Sequence, residues 1–121
     1  MRTFIAIVAL LFAGQASALD PATFRLNTGA NLVELCGLPA EDPIYAKAME
    51  FCNGYLVGAY QYYDATEPAS NRFVCAPNPR PALAEVMQAF VAWAKANPQH
   101  LNERPVDTLF RFLAKTYPCS N

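Results

Sequence analysis

Residues 43–63 read PIYAKAMEFCNGYLVGAYQYY. Ile44, Ala48, Phe51, Tyr55, Ala59 and Tyr62 recur at steps of three and four, the spacing that aligns one face of an α-helix. Cys52 and Leu56 widen that stripe. Asp42 is placed to cap the helix, and Pro43 to occupy its first position, where a missing N–H is harmless. The pattern predicts a helix from Ile44 to about Tyr63. Gly54 and Gly58 lie inside it, in a small-x-x-x-small arrangement. Each glycine weakens a helix by about 1 kcal/mol relative to alanine. The pair is therefore expected to form a notch into which another helix packs.

The flanking sequence completes the architecture. Leu19 to Thr28 reads as an extended lead-in. A short helix is predicted near Gly29 to Cys36, capped by Thr28 or Asn27 and closed by Gly37, with Leu32, Leu35 and Cys36 on one face. A turn-rich connection through Pro39 and Pro43 follows. Asp64 to Pro81 is long, polar and proline-rich, with Phe73, Val74 and Cys75 placed to pin it to the core. A loop of that length in a small domain is often functional. A third helix spans about Ala82 to Ala96 on Leu83, Val86, Met87, Phe90, Val91 and Ala94, and Asn97-Pro98 stops it. A fourth starts near Asn102 to Pro105 and ends near Tyr117, with Val106, Leu109, Phe110, Leu113 and Tyr117 as its buried face. There is no convincing alternating strand pattern and no internal repeat. The fold class is all-α, a small four-helix bundle.

The N-terminus carries an address. Met1-Arg2-Thr3 precedes ten apolar residues, Phe4 to Ala13, then Gly14-Gln15 and the small-residue site Ala16-Ser17-Ala18. The run is shorter than the roughly 20 residues a membrane span needs. It reads as a signal peptide, residues 1–18, cleaved from a helical domain, residues 19–121. No cysteine follows the site to accept a lipid. The expected location is the periplasm, with no membrane span left after cleavage. With 54% hydrophobic residues the chain is too apolar for disorder. A formal charge of −1, with no basic patch interleaved with aromatics, excludes a dedicated nucleic-acid binder.

Cys36, Cys52, Cys75 and Cys119 all follow the cleavage site. Four cysteines in a small exported domain imply two disulfides. Zinc would want closer pairs, and haem attachment a C-x-x-C-H. Three pairings are possible, and peptide mapping decides among them. The nested arrangement, Cys52–Cys75 with Cys36–Cys119, is favoured. Cys36–Cys52 is the poorest option if the two flank a helical hairpin, because Cys52 then sits about two turns, roughly 12 Å, beyond the turn. Disulfide Cα atoms must approach to about 4.4–6.8 Å.

Catalytic chemistry has little support. His100 is the one histidine, in a turn between Pro98 and Pro105, with no nucleophile fixed beside it by spacing. Glu41-Asp42 reads as helix capping rather than a metal site. Ser70 and Ser120 lack partners. No metal or cofactor is expected. Tyr45, Tyr55, Tyr60, Tyr62 and Tyr63 crowd one helix, too many for one core stripe. One or two near its end are expected at the surface, either packed at the rim or in a protein-binding patch, since tyrosine is enriched in protein interfaces. Trp93 lies off the centre of its helix stripe and has the same two readings, packing or interface.

Leu35-Cys36, then Phe51-Cys52-Asn53-Gly54-Tyr55-Leu56-Val57-Gly58, then Phe73-Val74-Cys75-Ala76-Pro77, Asn97-Pro98, His100-Leu101 and Tyr117-Pro118-Cys119 form a longer pattern. It resembles the Rap/Tai family of type VI secretion amidase immunity proteins, over about Leu32 to Cys119. One departure is Asn78-Pro79-Arg80-Pro81, where relatives tend to carry a threonine-type cap before the third helix. The resemblance implies a periplasmic, disulfide-bonded helical protein without catalytic activity. Its relatives bind a peptidoglycan amidase delivered by another cell and occlude its active site, and they are often homodimers. The candidate partner-binding residues are Tyr60, Tyr62, Tyr63, Asp64, Glu67 and Arg72, chosen on loop length and aromatic density. The rival expectation is an envelope structural or stress protein of chaperone type, with no dedicated effector.

Overall fold

Four α-helices carry the chain in the computed structural model, which describes residues 21–120: α1 Gly29–Cys36, α2 Tyr45–Thr66, α3 Leu83–Ala96 and α4 Pro105–Thr116. The signal peptide expected at residues 1–18 lies outside the described residues. Single 3-10 turns occupy Pro21–Phe24, Ala69–Asn71 and Pro98–His100. The lead-in is thus partly helical rather than extended, and Phe24 sets its ring edge-on against Phe51, 5.3 Å between centroids. An isolated antiparallel bridge joins Val74 to Pro118. The architecture is the all-α bundle with two disulfides.

The shortest helix is the hub. α1 packs on α2, α3 and α4, and buries Gly29, Leu32, Val33, Leu35 and Cys36. Its start is a capping box. The Thr28 hydroxyl accepts from the Asn31 N–H at 3.4 Å, and the Asn31 side chain accepts from the Thr28 N–H at 3.1 Å. Two further N–H groups of its first turn find acceptors in the turn before α4. Gly29 donates to the Glu103 carbonyl at 2.8 Å and Ala30 to that of Leu101 at 2.9 Å. Gly37 closes the helix, donating to Val33 O at 2.9 Å. The usual orphan donors of a helix start are therefore satisfied by the same turn that positions α4.

The core faces differ from the sequence expectation on three helices; on α3, Leu83, expected in the buried stripe, is 42% exposed at the helix start. On α2 the buried row is Ala48, Cys52, Leu56 and Tyr63, and Tyr62 is 74% exposed. Phe51 and Tyr55 stack along the flank, half-buried, rather than at the centre. Cys52 lies in this buried row, bonded to Cys36 of α1. On α4 the buried set is Pro105, Thr108, Leu109, Phe112 and Leu113. Val106 is 37% exposed, while Phe110 and Tyr117 are only partly buried. Thr108 disguises the face: its hydroxyl is polar, but it donates to the His100 carbonyl at 2.8 Å and is fully buried. Phe112 packs edge-on to Phe90, 5.7 Å between centroids.

The glycine notch expected on α2 is not present within the bundle. Gly54 and Gly58 are exposed, and a Cβ at either would meet nothing within 4 Å. The glycine that admits a neighbouring helix is Gly29. A Cβ there would collide with Thr108, 2.7 Å from its Cβ.

The disulfides are Cys36–Cys52 and Cys75–Cys119, not the favoured Cys52–Cys75 and Cys36–Cys119. The expectation took α1 and α2 as a helical hairpin whose turn keeps the start of α2 beside the end of α1. Instead, residues 37–44 form a connection before Tyr45 that can span up to about 26 Å. That exceeds the roughly 10 Å from the start of α2 to Cys52. The chain can therefore run back before turning, and Cys52 arrives opposite Cys36, Cα atoms 5.8 Å apart.

Candidate partner-binding surface

α2 runs to Thr66, so Asp64 belongs to the helix and the irregular segment begins at Glu67. Residues 67–81 form a strap that is tied down at several points. Arg72 closes its first part. Its Nη1 pairs with Asp64 Oδ1 at 2.8 Å, its Nη2 donates to the Asp64 carbonyl at 2.6 Å, and its Nε donates to the Glu67 carbonyl at 3.3 Å. A cation on the last carbonyls of a helix is favourable twice over, through hydrogen bonds and the helix dipole. The next tie is Tyr63. Its buried hydroxyl accepts from the Phe73 N–H at 2.7 Å and from the Val74 N–H at 3.0 Å. The Tyr60 hydroxyl accepts from the Ala76 N–H at 3.2 Å. The Cys75 N–H donates to the Tyr117 carbonyl at 2.9 Å, and Cys75 is bonded to Cys119.

Between these ties the strap is open to solvent. Pro68 to Asn71 and Cys75 to Arg80 are exposed, and Phe73 is 50% exposed. Phe73 completes an aromatic triad with Tyr63 and Phe110, at centroid distances of 5.2 and 6.3 Å. The Asn78-Pro79 peptide is cis, and α3 starts after Ala82 without a side-chain cap.

The six candidate residues do not form one exposed patch. Tyr63 is buried, and its hydroxyl is a structural acceptor. Tyr60 does the same work at Ala76. Asp64 and Arg72 engage each other. Glu67 is half-buried at the end of α2. Tyr62 is free of the core but points about 160° around the helix from Asp64, at about 100° per residue. Phe73 and Arg80 were missed as surface residues. Arg80 is flanked by Pro79 and Pro81, a sign of surface chain, whereas nothing in the sequence around Phe73 marks it as exposed.

A second concavity lies beside α4. The Trp93 and His100 rings stack, 5.8 Å between centroids and 5° from parallel. His100 Nδ1 lies 3.1 Å from Glu103 Oε1, and Arg111 Nε donates to Glu103 Oε2 at 2.6 Å. The Arg111 hydrogen bond, followed by that of His100, holds the Glu103 carboxyl below its ordinary value of 4.5. On the neighbouring face, burial and then the Asp107 charge push the Tyr55 phenol above 10.0. Arg104 pairs with Asp107 at 2.7 Å. His100 is thus held by its neighbours in a ring stack and a side-chain hydrogen bond, the environment of a structural histidine.

The structure is a small helical domain with two disulfides and an exposed strap tied to α2 and to the C-terminal segment. The chain belongs to the Rap1a immunity protein family, whose model matches residues 28–119. The matched span takes in α1 to α4, the strap and all four cysteines. No curated protein and no solved structure matches the chain. It is a protein of immunity type, and such a protein acts on a protein effector. No helix among the described residues is long and apolar enough to cross a membrane.

Proposed function

We propose that this chain is a periplasmic immunity protein that binds a peptidoglycan amidase and occludes its active site, with no catalytic activity of its own. The observation that carries the reading is the strap: exposed at 68–71 and 75–80, yet held by Arg72, by two tyrosine hydroxyls and by Cys75–Cys119. A steric inhibitor needs that combination. A loop already ordered before contact loses little conformational freedom on binding, so more of the contact energy appears as affinity. The contacts we assign are Phe73, Glu67 and the 69–71 turn, with Tyr62 at the same end of α2. Tyr63, Asp64 and Arg72 shape the surface rather than touch the partner. A homodimer, as in relatives, is compatible with this arrangement, because α2 leaves Gly54 and Gly58 uncovered.

The test is capture from cells of the protein's own source, with residues 19–121 oxidised and immobilised. One stoichiometric peptidoglycan hydrolase in the bound fraction is the expected result. Many weakly bound unfolded proteins would instead favour the envelope chaperone. Replacing Phe73 and Glu67 by Ala is expected to release the hydrolase while the far-ultraviolet spectrum stays helical.

A further inference from the structure

The strap and the bundle enclose a pocket of about 120 Å³ between them. Its floor is core: Leu56, Val74, Val86 and Leu113, all buried. Its rim carries Leu83, 42% exposed at the first position of α3, and Pro77 and Pro81 of the strap. Arg80 is the one charged residue in the lining. Its guanidinium lies 6.0 Å from the Tyr60 ring centre, and among the described residues it has no ion-pair partner. Arg72, Arg104 and Arg111 each have one.

Size selects the occupant. Sites for cofactors and drug-sized ligands run to about 300–1,000 Å³, so this pocket is too small for them. A dry cavity of about 150 Å³ takes benzene, so this one suits a single leucine- or phenylalanine-sized group. Charge selects what stands beside it. A cation would meet Arg80, whereas a carboxylate would gain a charge-assisted hydrogen bond from an arginine already oriented over Tyr60. The walls are fixed beforehand by prolines, by the Tyr60–Ala76 hydrogen bond and by Cys75–Cys119. A preformed apolar pocket with one polar anchor at its edge is the form of an interface hot spot.

We infer that this pocket receives one apolar side chain of the protein effector, with an effector carboxylate set beside it against Arg80. The inference rests on the immunity reading and names the chemistry of the partner's contact.

The probe is phenylacetate, titrated into oxidised residues 19–121 and followed by methyl NMR, with phenylacetamide and benzylamine as controls. Saturable shifts are expected at Leu56, Val57, Leu83 and Val86, strongest for phenylacetate, weaker for the amide and absent for the amine. Arg80→Gln should erase the preference for the carboxylate. Leu83→Asp should abolish phenylacetate binding, yet it leaves the fold intact because an acid in the first turn of α3 favours the helix. Against the captured hydrolase, Leu83→Asp should weaken inhibition at least about thirtyfold, the scale of a hot spot. Shifts that map elsewhere, or equal binding of acid and amide, would overturn the pocket. Full inhibition by both variants would also overturn it, while inhibition by the wild type kept the immunity reading standing. If the wild type inhibits no hydrolase, the immunity reading and the docking role fall together.

Discussion

Gly29 meets Thr108 where the first turn of α1 abuts α4, and the contact leaves no room for a methyl group. Gly29→Ala is expected to destabilise the protein by about 1–3 kcal/mol, the usual effect of overpacking, read as a lower urea midpoint at unchanged slope. Tyr63 works through its hydroxyl. Tyr63→Phe keeps the ring among Phe73 and Phe110 but strands two N–H groups. A loss of about 1–3 kcal/mol is expected, with faster amide exchange at Phe73 and Val74. Local signals of this kind were partly legible. Thr28 before a short apolar helix read as a cap, because capping needs only neighbours three residues away. Gly54-x-x-x-Gly58 misled, because the pattern records small side chains and not what lies opposite them. Tyr63 was misread as surface because a phenol's acceptor role appears only once the strap folds back over it.

Among the elements, the turn from Asn97 to Arg104 is the joint between α3, α1 and α4. Its carbonyls receive Gly29, Ala30 and the Thr108 hydroxyl, and its His100 and Glu103 side chains link Trp93 of α3 to Arg111 of α4. Glu103 titrates below its ordinary 4.5 in the folded protein, chiefly through Arg111. A carboxyl with a depressed folded value stabilises the fold above its unfolded value and loses that contribution as pH falls through the folded one. Wild type is therefore expected to exceed Glu103→Gln in stability above pH 4.5, with the difference shrinking at lower pH. An unchanged difference across that range would contradict the role given to Glu103. The helix spans were legible at this scale from the prolines and glycines near their ends, but only α1 has its expected side-chain cap; α2 begins at Tyr45, behind Ile44, rather than on Asp42 and Pro43. The buried faces of α2 and α4 were less so. The buried face of α4 contains a polar threonine and that of α2 runs through a disulfide-bonded cysteine, and hydrophobic periodicity alone registers neither.

For the whole molecule, the two disulfides have different tasks. Cys36–Cys52 is buried and joins α1 to α2, whereas Cys75 is exposed and fastens the strap to the C-terminal segment. Mild reductant with alkylation is expected to label Cys75 and Cys119 first, because access governs thiol exchange. Loop lengths of 16 and 44 residues correspond to about 3 and 4 kcal/mol of restricted unfolded chain. Loss of Cys75–Cys119 should thus lower stability and free the strap together. The pairing was not legible because it depends on how far residues 37–44 let α2 run back past α1, a global property. Immunity by a preordered strap is tested most directly by titrating the captured hydrolase, on peptidoglycan, with the oxidised protein and with Cys75→Ser/Cys119→Ser. Activity falling to zero at stoichiometric oxidised protein, with weaker inhibition by the double variant, is the predicted result. Undiminished hydrolysis in excess oxidised protein would contradict it.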